Sequence, residues 1–140
     1  DGIAELAARH PDAADLIAAY RERWDEMLGG PIAGTVAILE ELYANGAELH
    51  ALTNWSIETF PIARHRYDFL DLFGRIVVSG EEQLIKPDPR LFEVLLDRIG
   101  RDADECVFVD DSPANIATML DFAVRHDIKP VIDAFSNWNP

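Results

Sequence analysis

Two short, mostly apolar runs of this sequence each end in a pair of polar residues. Thr53 and Asn54 end the first run, Asp110 and Asp111 end the second, and Lys86 lies between the two runs. Open parallel sheets of α/β proteins bind their ligands just beyond the carboxyl ends of the strands. A hydroxyl, an amide, an ammonium and two carboxylates placed there are suited to holding a phosphoryl group and a divalent cation.

Each of these features also has an ordinary structural interpretation. An Asp-Asp pair before Ser-Pro is common in turns and helix caps, and Thr-Asn after a strand is common in turns. A single Lys-Pro in a loop is usually solvated. We favour a shared site because all three features follow strands of one predicted sheet, so they should converge on one edge of it.

The residue types indicate which ligand each would hold. At a turn from strand to helix, Asp110 and Asp111 could both reach one site. Hard oxygen ligands beside a phosphate suit Mg²⁺ better than zinc. Lys86 would add a positive charge for a phosphoryl group, and Thr53 Oγ with the amide that follows it would donate to the phosphoryl oxygens.

Composition limits the class of protein. The 140 residues are 49% hydrophobic, which is enough for one domain with a core. The net charge of −14 disfavours binding to nucleic acid or to anionic membranes. No apolar stretch approaches the roughly 20 residues that span a bilayer, and no signal peptide opens the chain. Cys106 is expected to be a small buried thiol in a reducing compartment. We therefore expect a soluble, cytoplasmic protein.

Apolar periodicity and turn residues predict strands that alternate with helices. Helices are expected at 12–28, at 34–45 with Gly46 as a left-handed cap, at 56–67, from Asp88 to Gly100, and from Ser112 to about His126. Strands are expected at 48–53, 75–78, 106–110 and 129–135. This alternation predicts an α/β fold built on a parallel sheet with right-handed crossovers.

Four segments together resemble the haloacid dehalogenase-like hydrolases. They are ALTNWS at 51–56, VSG at 78–80, KPDP at 86–89 and VFVDDSPAN at 107–115. The resemblance covers about Gly2 to Ile116 and implies a Rossmann-like core with a helical cap inserted after its first strand. Residues 1–30 would then be part of the cap, and residues 31–140 would be an α/β core that lacks its first strand.

The resemblance also implies a role for each polar residue. Thr53 and Asn54 would bind the phosphoryl group or the leaving anion, and Lys86 would neutralise charge on the nucleophile and the intermediate. Asp110 and Asp111 would hold Mg²⁺, which favours the phosphatase-like branch acting on a small phosphorylated molecule.

Three neighbours of these residues would support the site. Ser112 and Asn115 would hold the loop that carries the acidic pair. Trp55 would either wall the substrate site or pack against the cap.

The opening motif of that family is missing. It is an Asp-x-Asp after the first strand, and its first Asp attacks phosphorus. Asp1-Gly2 does not replace it, because a helix follows and no strand precedes it. We therefore expect an N-terminally truncated enzyme that is inactive by itself. The alternative is a non-catalytic remnant that binds phosphate and metal.

The C-terminal part also departs from the family pattern, from about Thr118 onward. Residues 119–130 resemble a C-terminal stretch of zinc-dependent alcohol dehydrogenases. This likeness brings no metal ligands and no Gly-rich dinucleotide loop. We interpret the stretch as a helix followed by a strand and disfavour an oxidoreductase fragment.

Overall fold

A computed structural model of the protein describes residues 2–127, so the strand predicted at 129–135 lies outside the described residues. The chain divides into two compact units, one formed by residues 2–49 and 58–74, the other by residues 50–57 and 75–127. The domain boundary predicted at residue 30 stays a prediction. No helix within residues 2–127 is long and apolar enough to cross a membrane.

The first unit is helical. Its α-helices are α1 (Gly2–Arg9), α2 (Ala14–Glu22), α3 (Ala33–Ala44) and α4 (Phe60–Arg66). Turns of 3₁₀-helix flank α2 at Pro11–Ala13 and Trp24–Met27, so the helix predicted at 12–28 is interrupted. Helix α3 confirms the prediction for 34–45, and Gly46 follows it with φ +84°. That conformation favours glycine because it has no Cβ.

The second unit contains a parallel pair of strands. Strand β1 (His50–Thr53) pairs with β2 (Arg75–Val78), and Thr53 lies opposite Val78. The side chains of Val77 and Val78 are almost completely buried. The short helix α5 (Ser79–Glu82) follows β2 directly. The parallel pair and its helices form a partial Rossmann-like core, which confirms the predicted α/β class.

Two longer helices complete the second unit. Helix α6 (Pro89–Ile99) begins after Asp88, whose Oδ1 accepts a hydrogen bond of 3.0 Å from the Arg90 N–H, and Gly100 ends it with φ +64°. Helix α7 (Pro113–Arg125) follows Ser112. Both confirm the predicted helices. Their buried side chains include Leu91, Phe92, Phe122 and Ala123.

The strand predicted at 106–110 is not formed. Residues 103–105 make a 3₁₀ turn, and the following residues join no sheet within the described part of the chain. A strand needs a neighbouring strand to pair with its N–H and C=O groups. Within residues 2–127, β1 pairs only with β2, so residues 106–110 have no such neighbour there. The prediction of a buried thiol is also wrong, because Cys106 is exposed.

Apolar side chains of this segment face opposite sides, as they would in a strand. Phe108 contacts the ring of Phe92 edge to face, with 5.2 Å between the ring centroids. Val107 and Val109 are 92% and 73% exposed. The segment therefore has the side-chain alternation of a strand but pairs with no other strand of residues 2–127.

This segment leads us to expect that the isolated chain self-associates or is marginally stable. Exposed valines favour pairing with another chain where the backbone beside them joins no sheet of residues 2–127. Val109→Lys should weaken the self-association, measured by sedimentation at several protein concentrations. Val124→Lys is the matched control, because Val124 is 69% exposed on α7. A parent chain that stays a cooperative monomer of high thermal stability contradicts the expectation.

Candidate active site

The centre of the candidate site is an ion pair between Lys86 and Asp110. Lys86 Nζ lies 2.7 Å from Asp110 Oδ2, and the two side chains are only 12% and 6% exposed. Lys86 comes from the loop before α6, and Asp110 comes from the end of the unpaired segment. A buried pair of this kind is costly to break, since removing one partner leaves an uncompensated charge; the usual cost is roughly 3–5 kcal/mol.

The other oxygen of Asp110 is held by the start of α7. Asp110 Oδ1 accepts hydrogen bonds from the Ser112 backbone N–H at 2.9 Å and from Asn115 Nδ2 at 2.8 Å. Burial acts to raise the pKa of the Asp110 carboxyl, but the hydrogen bonds from Lys86, Asn115 and Ser112 outweigh it and hold that pKa below its ordinary value. Asp110 is therefore held as a carboxylate.

Asn54 joins the end of β1 to the Lys86 loop. Its Oδ1 accepts a hydrogen bond of 2.7 Å from the Lys86 backbone N–H, and its Nδ2 donates one of 3.0 Å to the Lys86 carbonyl. Both hydrogen-bonding groups of one backbone residue are thus bound by a single side chain. The five residues Asn54, Lys86, Asp110, Ser112 and Asn115 form one connected network.

The loop after Asn54 is held by the residues that follow β2. The Trp55 carbonyl accepts hydrogen bonds from Ser79 Oγ at 3.1 Å and from the Gly80 N–H at 3.0 Å. A Cβ added at Gly80 would lie 2.6 Å from the backbone nitrogen of Ile57, so only glycine fits there. Helix α4 begins at Phe60, whereas the sequence predicted a start near residue 56.

The remaining predicted site residues adjoin the network. Thr53 is half-buried at the end of β1, immediately before Asn54, and Trp55 is half-buried immediately after it. Asp111 is exposed, and its carboxylate makes no hydrogen bond or ion pair with any residue of 2–127. The roles expected of Thr53, Trp55 and Asp111 stay predictions.

Metal binding would depend on the acidic pair. Within the described residues, no three His, Cys, Asp or Glu side chains come together as a metal site. Mg²⁺ needs fewer protein ligands, because it keeps several waters and is often held by one or two carboxylates and a substrate phosphate. From residues 2–127, Asp110 Oδ2 accepts one hydrogen bond and Asp111 accepts none, so both fit that requirement.

The Ser79-Gly80 pair has a larger part in the site than the sequence indicated. In the sequence this pair was visible only as part of the family resemblance. A small residue and a glycine directly after a buried β-branched strand were the available signal, because a close approach of two backbones requires glycine.

Comparison with known proteins identifies the family. A model of the haloacid dehalogenase-like hydrolase family matches residues 2–122. The chain belongs to the haloacid dehalogenase-like hydrolases. The resemblance found in the sequence is thereby confirmed.

Two curated relatives of this hydrolase chain are phosphatases. A sesquiterpene phosphatase of Aspergillus oryzae is 34% identical over 86 residues, which cover 61% of this chain and 44% of that protein. A phosphoglycolate phosphatase of Rhodospirillum rubrum is 36% identical over 98 residues, which cover 67% of this chain and 39% of that protein. The chain thus spans about two fifths of the length of these relatives.

A short segment of the chain is similar to a different protein. An aldehyde reductase of Synechocystis sp. is 84% identical over 25 residues, which cover 18% of this chain and 7% of that protein. No solved structure matches the chain.

Gly80 gives a direct test of how the site is held. Gly80→Ala should destabilise the protein by about 1–3 kcal/mol, because the added methyl group would displace the backbone at Ile57. Urea denaturation measures the change. Gly34→Ala is the control, since a Cβ there meets no atom within 4 Å and alanine favours a helix. Equal stability of Gly80→Ala and the parent would contradict the close packing.

Proposed function

We propose that this chain carries most of the site of a Mg²⁺-dependent phosphatase that acts on a small phosphorylated metabolite. The observation that supports the proposal is the buried pair of Lys86 and Asp110, placed beside Asn54 at the end of β1. Phosphoryl transfer depends mainly on positioning and on compensation of charge. The Lys86 ammonium and the Asp110 carboxylate are held in place, and Asp111 adds a second carboxylate. These groups could both position a phosphoryl group and compensate its charge.

The residues would divide the work by their charge. Lys86 would balance negative charge on the attacking group and on the phosphoryl oxygens. Thr53 Oγ and the backbone N–H after it would donate to those oxygens, and Trp55 would bound the substrate. Asp110 and Asp111 would hold Mg²⁺, which when bound would neutralise further charge on the phosphate.

The nucleophile is the missing part. In the proposed reaction a carboxylate attacks phosphorus and forms an aspartyl intermediate, which water then hydrolyses. That carboxylate must lie in line with the bond that breaks. Lys86 and the acidic pair would bind charge and would not attack phosphorus. We therefore propose that the nucleophilic Asp belongs to a strand that this sequence does not contain.

The proposal extends to the surroundings of the protein. We place it in the cytoplasm, without nucleic acid or membrane as partner, on the support of its net charge of −14 and its single cysteine. The phosphatase relatives support a small phosphorylated substrate.

The chain alone should not hydrolyse p-nitrophenyl phosphate, even with saturating Mg²⁺, because under this proposal the attacking carboxylate is missing. Extension of its N-terminus by an apolar segment that ends in Asp-x-Asp should give measurable hydrolysis. In that extended protein Lys86→Ala should lower kcat by about 10²-fold or more, as expected for the loss of a charge stabiliser. Arg9→Ala is the control, because it removes an exposed positive charge at the end of α1.

Two outcomes would contradict this expectation. Activity of the unextended chain that is lost in Asp110→Asn would show that the nucleophile lies within these 140 residues. A folded extended protein that binds phosphate and Mg²⁺ without turnover would favour the alternative of a non-catalytic binding remnant.

Mg²⁺ should bind weakly to the chain through Asp110 and Asp111. Two adjacent carboxylates repel each other, and a cation relieves that repulsion. Calorimetric titration should show the signal in the parent and lose it in Asp110→Asn and Asp111→Asn. The second variant leaves the ion pair intact. Asp97→Asn changes an exposed carboxylate on α6 and serves as the control. Equal binding by all four proteins would remove the metal assignment.

A further inference from the structure

We propose that Asn54 is a positioning residue, whose side chain fixes the backbone of Lys86 and thereby places the Lys86 ammonium at the site. The benefit of this positioning rests on the proposed function, since the location of the Lys86 ammonium matters only if a charged group reacts beside it. The effect of Asn54 on the position of Lys86 does not depend on turnover. The family resemblance gave Asn54 a different role, that of a direct phosphoryl ligand.

The geometry of the contact carries the proposal. A side-chain amide has the same donor and acceptor as a peptide group. The amide of Asn54 uses its oxygen for the Lys86 N–H, at 2.7 Å, and its nitrogen for the Lys86 carbonyl, at 3.0 Å. The pair therefore replaces a backbone contact between the end of β1 and a loop 32 residues later in the chain.

Lys86 is a residue that needs such support. Its side chain is long and flexible, and it lies in a loop between α5 and α6. Asp110 Oδ2 holds the ammonium at one end, and Asn54 holds the backbone at the other. Holding both the backbone and the ammonium of Lys86 restricts the positions that the ammonium can take. A displacement of about 1 Å at a reacting group can lower the rate by about 10²-fold, so this restriction would favour catalysis.

A direct contact with phosphate would be an addition to this role. The Nδ2 group has two N–H donors, and the Lys86 carbonyl takes one of them. One donor is left for a ligand. The two roles therefore make different predictions for the protein without any ligand, in which only the positioning role affects Lys86.

The sequence makes Lys86 easy to observe. The chain contains only two lysines, Lys86 and Lys129. Selective isotopic labelling of lysine therefore gives two side-chain NMR signals, and Lys129→Arg assigns them. Pro87 has no backbone N–H, so the Lys86 N–H has no exchanging amide directly after it in the chain.

The experiment compares the parent with Asn54→Ala and Asn54→Asp, each without ligand. In Asn54→Ala the Lys86 side-chain signal should move toward that of free lysine, and exchange of the Lys86 N–H should accelerate by about tenfold. Asn54→Asp keeps the acceptor for the N–H but loses the donor to the carbonyl, so its exchange should accelerate less. Asn45→Ala is the matched control, at an exposed position after α3.

The amides of β2 serve as the internal reference. The proposal is overturned if the Lys86 signal and its exchange are unchanged in Asn54→Ala. It is also overturned if exchange in β2 accelerates equally, since Asn54 would then stabilise the unit as a whole. Lower affinity for inorganic phosphate in Asn54→Ala with unchanged Lys86 exchange would instead establish the direct phosphoryl role. None of these outcomes depends on phosphatase activity, so failure here is distinct from failure of the proposed function.

Discussion

The buried contact between Lys86 and Asp110 is the interaction on which the rest of the site depends. Desolvation of two charges is costly, and it is repaid only when the geometry is good and the remaining lone pairs are satisfied. Here the second carboxylate oxygen receives two further hydrogen bonds, from Ser112 and Asn115. The start of α7, the Lys86 loop and the end of the 106–110 segment are thereby held together.

The sequence was sufficient for the parts of the fold that local chemistry decides. Pro89 and Pro113 begin helices because their missing N–H has no partner in the first turn of a helix anyway. Gly46 and Gly100 follow helices with positive φ. Strand β2, short and β-branched, lies where it was expected. Parallel pairing with β1 follows from the helix that separates the two strands.

The sequence was not sufficient where structure depends on a distant partner. Residues 106–110 have the pattern of a strand, but pairing requires a neighbour that pattern alone does not supply. The close approach of Gly80 to the backbone of Ile57 joins positions more than 20 residues apart. The two hydrogen bonds between Asn54 and Lys86 join loops that are far apart in sequence. The sequence therefore indicated both residues as site residues but did not predict their contact.

The charges of the site explain why its parts belong together. Lys86, Asp110 and Asp111 carry one positive and two negative charges, so the group is left with one negative charge before any ligand binds. A phosphate ester would be repelled by that excess, whereas a divalent cation would be attracted. With Mg²⁺ bound, the sign of the group would reverse and would suit a phosphorylated substrate. Under the proposed function, the ion pair therefore keeps the carboxylate and the ammonium in place, while the exposed Asp111 supplies the charge that recruits the cation.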